Sequence, residues 1–496
     1  MQNSQPVSFY IKTQRSFSPA RKYIWILTIV IGLGGQFVPL IGLLVPFIMV
    51  ALMGMSLFKG KYWCGNFCPH GSFFDNLLGP ISRHTRIPQF LKSRVLIAAV
   101  LAFFMFNLSR NFISVMARLG SADFYEQLGL IFSTTYLMVL LLGGLLGVFI
   151  NERTWCQFCP MGTIQTIFYK LGKTLGLAKN SDEKVTVSHP DLCHSCGKCA
   201  RICPMQLTPY LQFSEDHQFD DEKCIRCNTC VHNCPAGILQ MAGPQEAEEL
   251  KENVSLAGFE KARYYKARIK SIAELKEDVR QFNFELLNPA QMPYDQGQFL
   301  LVEIEPAIKM YRAYTISGSN ADNSEVSVTI KKLSDGYGTN IIFSNLKEGD
   351  TVNLKGPMGN ELRIDPEGKE LLFIANGIGI TPFVSTVQSF FERGEQPLKG
   401  KATLLYGTRY EEDLVYDDYF EVMADQSDNF DYHSILSRPR TDQYQKGYVT
   451  DILKDLDPSP ETKVYICGTA QMAGGATTIL VKKGVPENNI FYESFV

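Results

Sequence analysis

Histidine is one of the rarer residues in this sequence, and its placement excludes one class of redox centre. The 496 residues include seven histidines: His70, His84, His189, His194, His217, His232 and His433. None of them falls in the long apolar runs described below. A b-type haem held between membrane helices by pairs of histidines therefore has no ligands in those runs.

Acidic residues are scarce in the first 180 positions, where four Asp and Glu accompany sixteen Lys and Arg. The rest of the chain has the opposite balance, with 47 acidic and 32 basic residues. The basic residues of this acidic half form few clusters, which argues against a nucleic-acid partner. The sequence therefore joins two physically different halves.

The longest apolar stretches all lie in the basic half, and the longest of them lacks charge altogether. Tyr23–Phe58 contains no charged residue. A single helix of that length would rise about 54 Å, well beyond a hydrocarbon core of about 30 Å. The Gly34–Gly35 pair and Pro39 offer a break, which predicts two short spans joined by a tight turn. Two further spans are predicted at about Val95–Val115 and Leu128–Ile150.

The basic residues around these four predicted spans indicate an orientation. They accumulate before the first span, between the second and the third, and after the fourth. Lys and Arg in short loops favour the cytoplasmic side of a membrane. We therefore expect residues 1–22 to form a cytoplasmic arm and residues 23–180 to form a multi-pass module in the cytoplasmic (inner) membrane. The later domains would face the cytoplasm.

Cysteine is concentrated early in the chain, since twelve of the thirteen Cys precede residue 235. Eight of them form two runs with the spacing Cys-x2-Cys-x2-Cys-x3-Cys-Pro, which start at Cys193 and Cys224. In a reducing cytoplasm such spacing indicates metal ligands, because disulfides are rare there. A zinc ribbon needs four ligands per site and leaves the x3-Cys-Pro end unexplained.

The two runs resemble those of bacterial ferredoxins with two [4Fe–4S] clusters, in which the fourth Cys of each run binds the other cluster. The resemblance implies an α+β ferredoxin domain over residues 181–242. One cubane would be held by Cys193, Cys196, Cys199 and Cys234. The other would be held by Cys224, Cys227, Cys230 and Cys203.

Four further cysteines follow directly on predicted spans. The first Cys motif contains Cys64 and Cys68, and the second contains Cys156 and Cys159. Both have Trp before the first Cys, Phe before the second and Pro after it, which indicates a repeated two-span unit. Free Cys is often a buried structural thiol, but paired motifs at equivalent helix ends favour an additional iron–sulfur cluster near the membrane surface.

Over about residues 20–240 the chain resembles the membrane-bound ferredoxin-type proteins with four spans and two CxxxCP motifs, which serve quinol oxidation in periplasmic nitrate reduction. It is also similar to the related membrane iron–sulfur regulators of nitrous oxide respiration. The first Cys motif fits this pattern. The second is one residue short, because only two residues separate Cys156 from Cys159. The type of cluster that these four cysteines would hold is therefore open.

The acidic half begins with a predicted linker at residues 243–257. Alternating stretches punctuated by Gly and Pro then predict an antiparallel barrel over residues 258–366. Its predicted strands are Lys266–Ile272, Gln281–Leu287, Phe299–Ile304 and Val326–Lys331. From residue 367 to residue 496, apolar runs alternate with helical stretches, which predicts an α/β nucleotide-binding domain. Its predicted strands are Leu371–Ala375, Ala402–Tyr406 and Val464–Cys467.

Three motifs of the predicted barrel occur in the order found in the ferredoxin–NADP reductase family, and they resemble that family's FAD site. They are Arg312–Ser317, Gly336–Asn340 and Leu354–Gly359. The resemblance implies that Arg312 binds the flavin pyrophosphate, that Tyr314 lies against the isoalloxazine and that Thr315 faces its N5. The amides of a helix beginning near Gly336 would meet the same pyrophosphate. Further implied flavin contacts are Ser317, Gly338 and Thr339.

The glycine-rich segment Ala375–Pro382 follows a predicted strand and precedes a helix, the context that a phosphate loop requires. Together with Tyr465–Met472 it resembles the nucleotide domain of the same family. The resemblance places Cys467 beside the nicotinamide, so the implied catalytic residues are Tyr314, Thr315 and Cys467. The implied NAD(P) contacts are Gly377, Gly379, Thr381, Pro382, Cys467, Gly468 and Met472.

The chain ends in Tyr492–Val496, which is similar to the acidic-aromatic end that covers the flavin in that family, with Phe495 as the candidate aromatic. The choice between NADH and NADPH is open. Ser437, Arg438 and Tyr448 resemble residues that bind the 2'-phosphate of NADPH, although the Ser-Arg-Pro run also occurs in members that use NADH. Asp413 and Glu411, near the expected ribose region, would repel the phosphate.

Together these features predict a membrane-bound oxidoreductase. NAD(P)H would give a hydride to FAD, which would release electrons singly to the iron–sulfur centres. The predicted acceptor is a quinone or a membrane or extracytoplasmic redox protein, and the direction of electron flow is open. A soluble ferredoxin is a further candidate partner. One alternative is a redox regulator or dedicated electron donor without quinone chemistry. Another is that the membrane module is only an anchor.

Overall fold

The computed structural model describes residues 9–13, 15, 19–393, 398 and 400–495, except for the side chains of Ser494 and Phe495. The chain forms two units. The first consists of Met1–Cys193 and Gly197–Val254, and the second of His194–Cys196 and Ser255–Val496.

Three helices among the described residues are long and apolar enough to cross a membrane. These first, second and third apolar helices are Pro39–Lys59, Arg94–Met116 and Phe124–Phe149. The preceding run is irregular, with helical turns at Pro19–Tyr23, Trp25–Ile29, Val30–Gly34 and Gly35–Phe37. It breaks at Val38, whose ψ of 83° is not helical. The break before Pro39 is as predicted, but the four predicted spans appear as three long helices and one broken segment.

Small residues allow the first and third apolar helices to pack closely. A Cβ atom added to Gly42 would lie 1.9 Å from the carbonyl oxygen of Gly129. A Cβ atom added to Gly129 would lie 2.0 Å from the carbonyl oxygen of Pro39. No side chain fits at either crossing point, and such small-residue contacts are typical of helices that pack in a membrane.

The two Cys motifs have the same local structure at their second cysteine. Cys68 and Cys159 are the N-cap residues of helices that begin with proline, Pro69–Phe73 and Pro160–Thr174. Proline is favoured in a first helical turn, where an N–H group would lack an intrahelical partner. The Sγ of Cys68 accepts a hydrogen bond from Gly71 N at 3.4 Å, whereas Cys159 makes no such capping bond. Other short helices in this region are Tyr62–Asn66, Phe74–Leu78, Gln89–Lys92 and Trp155–Gln157.

The ferredoxin region of the first unit is built on two antiparallel strands, β1 (Lys184–Val187) and β2 (Leu239–Ala242). Cys199 and Cys230 lie on the short helices Lys198–Arg201 and Thr229–His232. A small buried core supports these elements, and four cysteines pack against it. The core residues are Val185, Val187, Phe219 and Leu239. The predicted linker that follows is helical over much of its length, since it contains the helix Pro244–Glu252.

The second unit begins with a closed antiparallel barrel in the order β3-β4-β7-β6-β5-β8. Its strands are β3 (Arg263–Lys276), β4 (Val279–Asn288), β5 (Phe299–Glu305), β6 (Met310–Ser319), β7 (Glu325–Lys331) and β8 (Thr351–Met358). The four predicted strands are confirmed as β3, β4, β5 and β7. The segments treated as motifs in the sequence, Arg312–Ser317 and Leu354–Gly359, lie largely within β6 and β8. A helix, Tyr337–Asn345, connects β7 to β8.

The α/β part of the second unit has a parallel sheet in the order β11-β10-β9-β12-β13. Its strands are β9 (Glu370–Asn376), β10 (Lys401–Thr408), β11 (Phe430–Leu436), β12 (Lys463–Thr469) and β13 (Ile490–Phe495). Its helices are Thr381–Val387, Asp417–Gln426, Val449–Asp455 and Ala470–Lys482. The strand order reverses between β9 and β12, so their carboxyl ends form the crevice where such sheets bind ligands.

Candidate functional site

The predicted flavin residues lie on β6 and on the helix Tyr337–Asn345. The guanidinium Nη1 of Arg312 donates to the carbonyl oxygens of Cys196 at 2.6 Å and Tyr311 at 2.8 Å. A Cβ atom on Gly338 would lie 2.7 Å from Nε of Arg312. Arg312 therefore lies at the N-terminal turn of this helix, where N–H groups and a guanidinium together suit a pyrophosphate.

The other predicted flavin-binding residues differ in burial and in hydrogen bonding. Burial raises the pKa of Tyr314 above its ordinary value, and Thr315 is buried beside it in β6. The hydroxyl of Ser317 accepts a hydrogen bond from Thr329 at 3.0 Å. The hydroxyl of Thr339 accepts from Leu333 N at 3.1 Å. The hydroxyls of Ser317 and Thr339 thus form hydrogen bonds within the protein. Tyr314 and Thr315 follow Arg312 closely in β6.

The predicted phosphate loop joins β9 to the helix Thr381–Val387. Gly377 has a φ of +55°, and no atom lies within 4 Å of the position that a Cβ would take. Gly379 is the opposite case, because its Cβ would lie 2.2 Å from the carbonyl oxygen of Cys467. The loop is thus open on one side and packed against β12 on the other. Thr381 and Pro382 are buried in the first turn of the helix.

The carboxyl ends of β9 and β12 are joined by side-chain hydrogen bonds. Asn376 accepts from Thr469 N at 2.9 Å and donates to the Thr469 hydroxyl at 3.2 Å. A Cβ on Gly468 would lie 1.9 Å from the Asn376 side-chain oxygen, so a larger residue cannot replace Gly468. Met472 N donates to the Thr469 hydroxyl at 3.4 Å, which places Met472 in the first turn of the last long helix.

Glu493 was missing from the predicted site residues, although it lies in the acidic-aromatic terminal segment that the sequence singled out. It pairs with Cys467 in the register of β12 and β13. Burial, with a smaller contribution from Glu361, raises the pKa of Glu493 to about 7. Burial and the neighbouring Glu493 raise the pKa of the Cys467 thiol well above its usual value. The side chain of Phe495 lies outside the described residues.

The structure brings Cys203 together with three cysteines of the second run. Burial and then the Cys227 thiol raise the pKa of Cys203 to about 11. Burial raises the pKa of Cys224 to about 12, with contributions from Cys227 and Cys203. Cys230 is similarly affected by Cys227, Cys224, Cys199 and Cys203. These proximities fit a cubane on Cys203, Cys224, Cys227 and Cys230.

The other predicted ligand set is distributed differently. Cys199 and Cys234 pack against the core of the ferredoxin region. Cys196 lies in the short segment that groups with the second unit. The binding of a cubane by Cys193, Cys196, Cys199 and Cys234 therefore stays a prediction from the repeated spacing.

The four cysteines of the two Cys motifs converge in the first unit. Burial and the neighbouring Cys64 and Cys156 thiols raise the pKa of Cys68. Burial raises the pKa of Cys159 to about 12, and the same two thiols contribute. Among the described residues no group of three or more His, Cys, Asp or Glu is arranged to hold a single metal ion. In an iron–sulfur cluster the thiolates bind different irons, so the four sulfurs need not surround one point. The convergence of these four cysteines is therefore compatible with a cluster.

A cavity of about 770 Å³ adjoins these four cysteines. Its wall is mostly apolar and includes residues of all three apolar helices. Polar side chains appear at intervals along it, and two residues of the ferredoxin region, Met205 and Ile225, complete the lining. The polar residues include His70, Asn107, Asn111, Gln127 and Thr135. A cavity of this size and composition suits an organic ligand with an extended apolar part.

The ferredoxin loops that carry Cys203 and Cys224 lie directly against the Cys motifs. A Cβ on Gly65 would lie 2.0 Å from the carbonyl oxygen of Ile225. The Asn66 side chain donates to the carbonyl of Arg226 at 3.2 Å. The Gln157 side chain donates to the carbonyl of Met205 at 3.3 Å. Both Cys motifs therefore contact the loops of the same predicted cubane.

This arrangement defines a class of protein: a flavin- and pyridine-nucleotide-binding reductase fused to iron–sulfur domains. Family models match an oxidoreductase FAD-binding domain at residues 266–361 and an oxidoreductase NAD-binding domain at residues 373–478. A 4Fe–4S dicluster domain matches residues 192–239. A 4Fe–4S binding domain matches twice, at residues 41–88 and 134–177, which are the two halves of the predicted repeat.

The chain belongs to the family of flavoprotein reductases that includes the electron transfer component of toluate 1,2-dioxygenase from Pseudomonas putida. The two are 31% identical over 234 residues, which cover 47% of this chain and 67% of that protein. The reductase component DmpP of phenol 2-monooxygenase from Pseudomonas sp. strain CF600 is 30% identical, with 47% and 65% covered. The matched region therefore covers about two thirds of the length of these relatives but less than half of this chain.

Solved structures also resemble the chain over a similar share. The Amycolatopsis cytochrome P450 reductase GcoB has a TM-score of 0.43 and 21% identity, covering 47% of this chain and 70% of that one. From the family models and relatives, the chain is an NAD(P)H-dependent FAD and iron–sulfur oxidoreductase. Its electron transfer is of the ferredoxin–NAD(P) reductase type.

Proposed function

We propose that the chain is a membrane-bound NAD(P)H oxidoreductase that delivers electrons to a quinone in the cavity beside the two Cys motifs. The observation that carries the proposal is the composition of that cavity. Cys64, Cys68, Cys156 and Cys159 line it together with the apolar helices and with Met205 and Ile225. An electron arriving from the ferredoxin loops would therefore reach an apolar binding space through the four cysteines.

The apolar helices support the membrane part of the proposal. The second apolar helix exposes large apolar side chains, including Val95, Phe103, Phe106 and Ile113, of which Val95 is 80% exposed. Such a surface is unfavourable in water and is expected where lipid surrounds a helix. We infer that the apolar part of the broken segment, residues 23–37, is the fourth span. The basic loops would then place the ferredoxin and reductase domains in the cytoplasm.

The chain's own residues would divide the work. Bound FAD would supply the conversion of a two-electron hydride donor into single electrons. Arg312 and the N-terminal turn of the helix Tyr337–Asn345 would hold its pyrophosphate, and Tyr314 and Thr315 would flank its ring. The open side of Gly377 would receive the phosphates of NAD(P)H, with Cys467 near the nicotinamide. The Cys motifs would hold a third iron–sulfur centre and exclude water from it.

The proposal is tested by anaerobic stopped-flow spectroscopy of the purified chain in detergent. NADH or NADPH should bleach the flavin and iron–sulfur absorbance, and a short-chain ubiquinone analogue added afterwards should restore it. Ferricyanide, which accepts electrons without needing the cavity, serves as the control acceptor. Restoration by ferricyanide but not by the quinone would contradict the quinone proposal and favour a dedicated protein partner.

Glu493 gives the reductase half a predicted pH dependence. Its pKa of about 7 means that it is neutral below and negatively charged above that pH. When NAD(P)H loses its hydride, the nicotinamide gains positive charge, which a nearby carboxylate stabilises. The rate of ferricyanide reduction should therefore rise as the pH increases through about 7.

Rates measured from about pH 6 to about pH 8 test this expectation. Glu493→Gln should remove the step, while Glu487→Gln, at an exposed position before β13, should preserve it. A step of unchanged size in Glu493→Gln would assign the pH dependence to another group.

A further inference from the structure

A buried group of charged residues lies behind the Cys motifs, and neither the sequence patterns nor the family models assign it a role. This acid–arginine cluster consists of Arg15, Arg21, Asp75, His84, Glu152 and Arg153. Glu152 is fully buried and Arg153 is 1% exposed. Buried charges are costly unless they are paired. Here three guanidinium groups accompany two carboxylates, which leaves one positive charge in excess.

Asp75 is the centre of the acid–arginine cluster. Arg153 binds it through two hydrogen bonds, from Nε at 2.8 Å and from Nη2 at 2.5 Å. Arg21 forms an ion pair with the same carboxylate, and Arg15 lies 3.9 Å from it. Although burial alone would raise the pKa of Asp75, Arg153 and Arg21 lower it well below its usual range. Asp75 therefore stays charged and fixes the orientation of Arg153.

The guanidinium nitrogen of Arg153 that does not bind Asp75, Nη1, faces the Cys motifs. This nitrogen lies 3.6 Å from the Sγ of Cys156 and 3.3 Å from the carbonyl oxygen of Cys64. A Cβ on Gly71 would lie 2.8 Å from the same nitrogen, so the glycine leaves room for it. A neutral donor acts on a second thiol, since the Gln165 amide lies 3.0 Å from the Sγ of Cys64.

A positive charge at this position would act on any iron–sulfur centre held by these thiols. Four thiolates give such a centre a net negative charge, and reduction adds one more electron. A buried cation therefore stabilises the reduced form more than the oxidised form, because the interaction is weakly screened. Hydrogen bonds to the sulfurs and the local net charge are both known determinants of cluster potentials.

We propose that Arg153, held by Asp75, raises the reduction potential of the iron–sulfur centre on Cys64, Cys68, Cys156 and Cys159. This inference rests on the proposed function, because it requires that centre to exist. Arg153 acts in this scheme through the cluster ligands that it touches, and it also lines part of the cavity. The raised potential would draw electrons from the ferredoxin cubanes towards the cavity.

The test is a redox titration of the full chain in detergent, followed by electron paramagnetic resonance, on the wild type and Arg153→Gln. The variant should lower the midpoint potential of the third centre, with at least a tenfold change in its electron-transfer equilibrium, or about 59 mV for one electron. Arg118→Gln removes a charge from an exposed loop of the same module and should leave the potential unchanged. Gln165→Leu should lower it by less than Arg153→Gln.

The outcomes separate the two proposals. A wild type with no third signal and only the iron of two cubanes would refute the centre itself, and with it this part of the proposed function. A third signal whose potential is unmoved or raised in Arg153→Gln would overturn the role of Arg153 alone. If Arg153→Gln does not retain its iron, Arg153→Lys decides the matter. Lysine keeps the charge, but it cannot bind Asp75 through two nitrogens and reach Cys156 with a third. Arg153→Lys should therefore lower the potential, and an unchanged or raised value would overturn the inference.

Discussion

The double replacement Cys64→Ser and Cys156→Ser is expected to abolish quinone reduction while NAD(P)H still reduces ferricyanide. The two Cys motifs contain four free thiols, and under the proposed function each Ser would remove one ligand of the third centre. The ferredoxin and reductase cofactors use other residues, so electrons should still reach ferricyanide. We expect the quinone rate to fall at least a hundredfold, an increase in the barrier of about 2.7 kcal/mol.

Iron analysis provides the second measurement on the same variant. Two cubanes need about eight irons per chain, and a third cluster adds about two to four. The double variant should fall to about eight irons. Thr174→Ala, at the exposed end of the helix that begins at Pro160, is the control and should keep the full count. An unchanged count in the double variant would refute the third cluster and leave the module as an anchor.

Arg312→Ala is expected to release FAD and to stop all oxidation of NAD(P)H. A hydrogen bond to a charged group contributes about 1.5–3 kcal/mol, and a guanidinium offers a pyrophosphate two of them. Losing both would weaken FAD binding by roughly a hundredfold or more. Gly338 lies so close to Arg312 that it has no room for a side chain. It therefore offers no second charged group that could bind the pyrophosphate in place of Arg312.

The flavin-to-protein ratio of the purified variant, read from its absorbance, checks this expectation. Arg268→Ala removes an arginine from the exposed face of β3, where it pairs with Glu285, and should retain full flavin. Arg312→Ala with a full complement of FAD would contradict the assignment. Restoration of activity by added FAD would instead support it, because only affinity would have been lost.

Local patterns made the reductase half largely predictable. The Gly377–Pro382 loop was placed correctly between a strand and a helix because glycine spacing and the flanking apolar run are both short-range signals. The barrel strands β6 and β8 were treated only as motifs, since their functional residues and Gly–Pro pair obscure the alternation typical of a strand. Position 493 was overlooked because its burial depends on the pairing of β12 with β13.

The clustering of charged residues behind the Cys motifs could not be predicted from local sequence patterns. Arg15, Asp75 and Arg153 are far apart in the chain, and each alone resembles an ordinary loop charge. The charge count had instead suggested that the arginines of the first half mark the cytoplasmic side of a membrane. Only the fold shows that three of them are buried with two of the four acidic residues of that half.

Two residues of the ferredoxin region that are not cysteines, Met205 and Ile225, also bear on how electrons would reach the cavity. Both residues line the cavity, and the loops that carry them contact the two Cys motifs, so in this structure the ferredoxin region forms part of the cavity wall. Under the proposed function, the passage of an electron from the cubane near Cys203 and Cys224 to the Cys motifs would then be a first-order event. Dilution and added salt, which slow the encounter of separate redox proteins, should leave this passage unaffected.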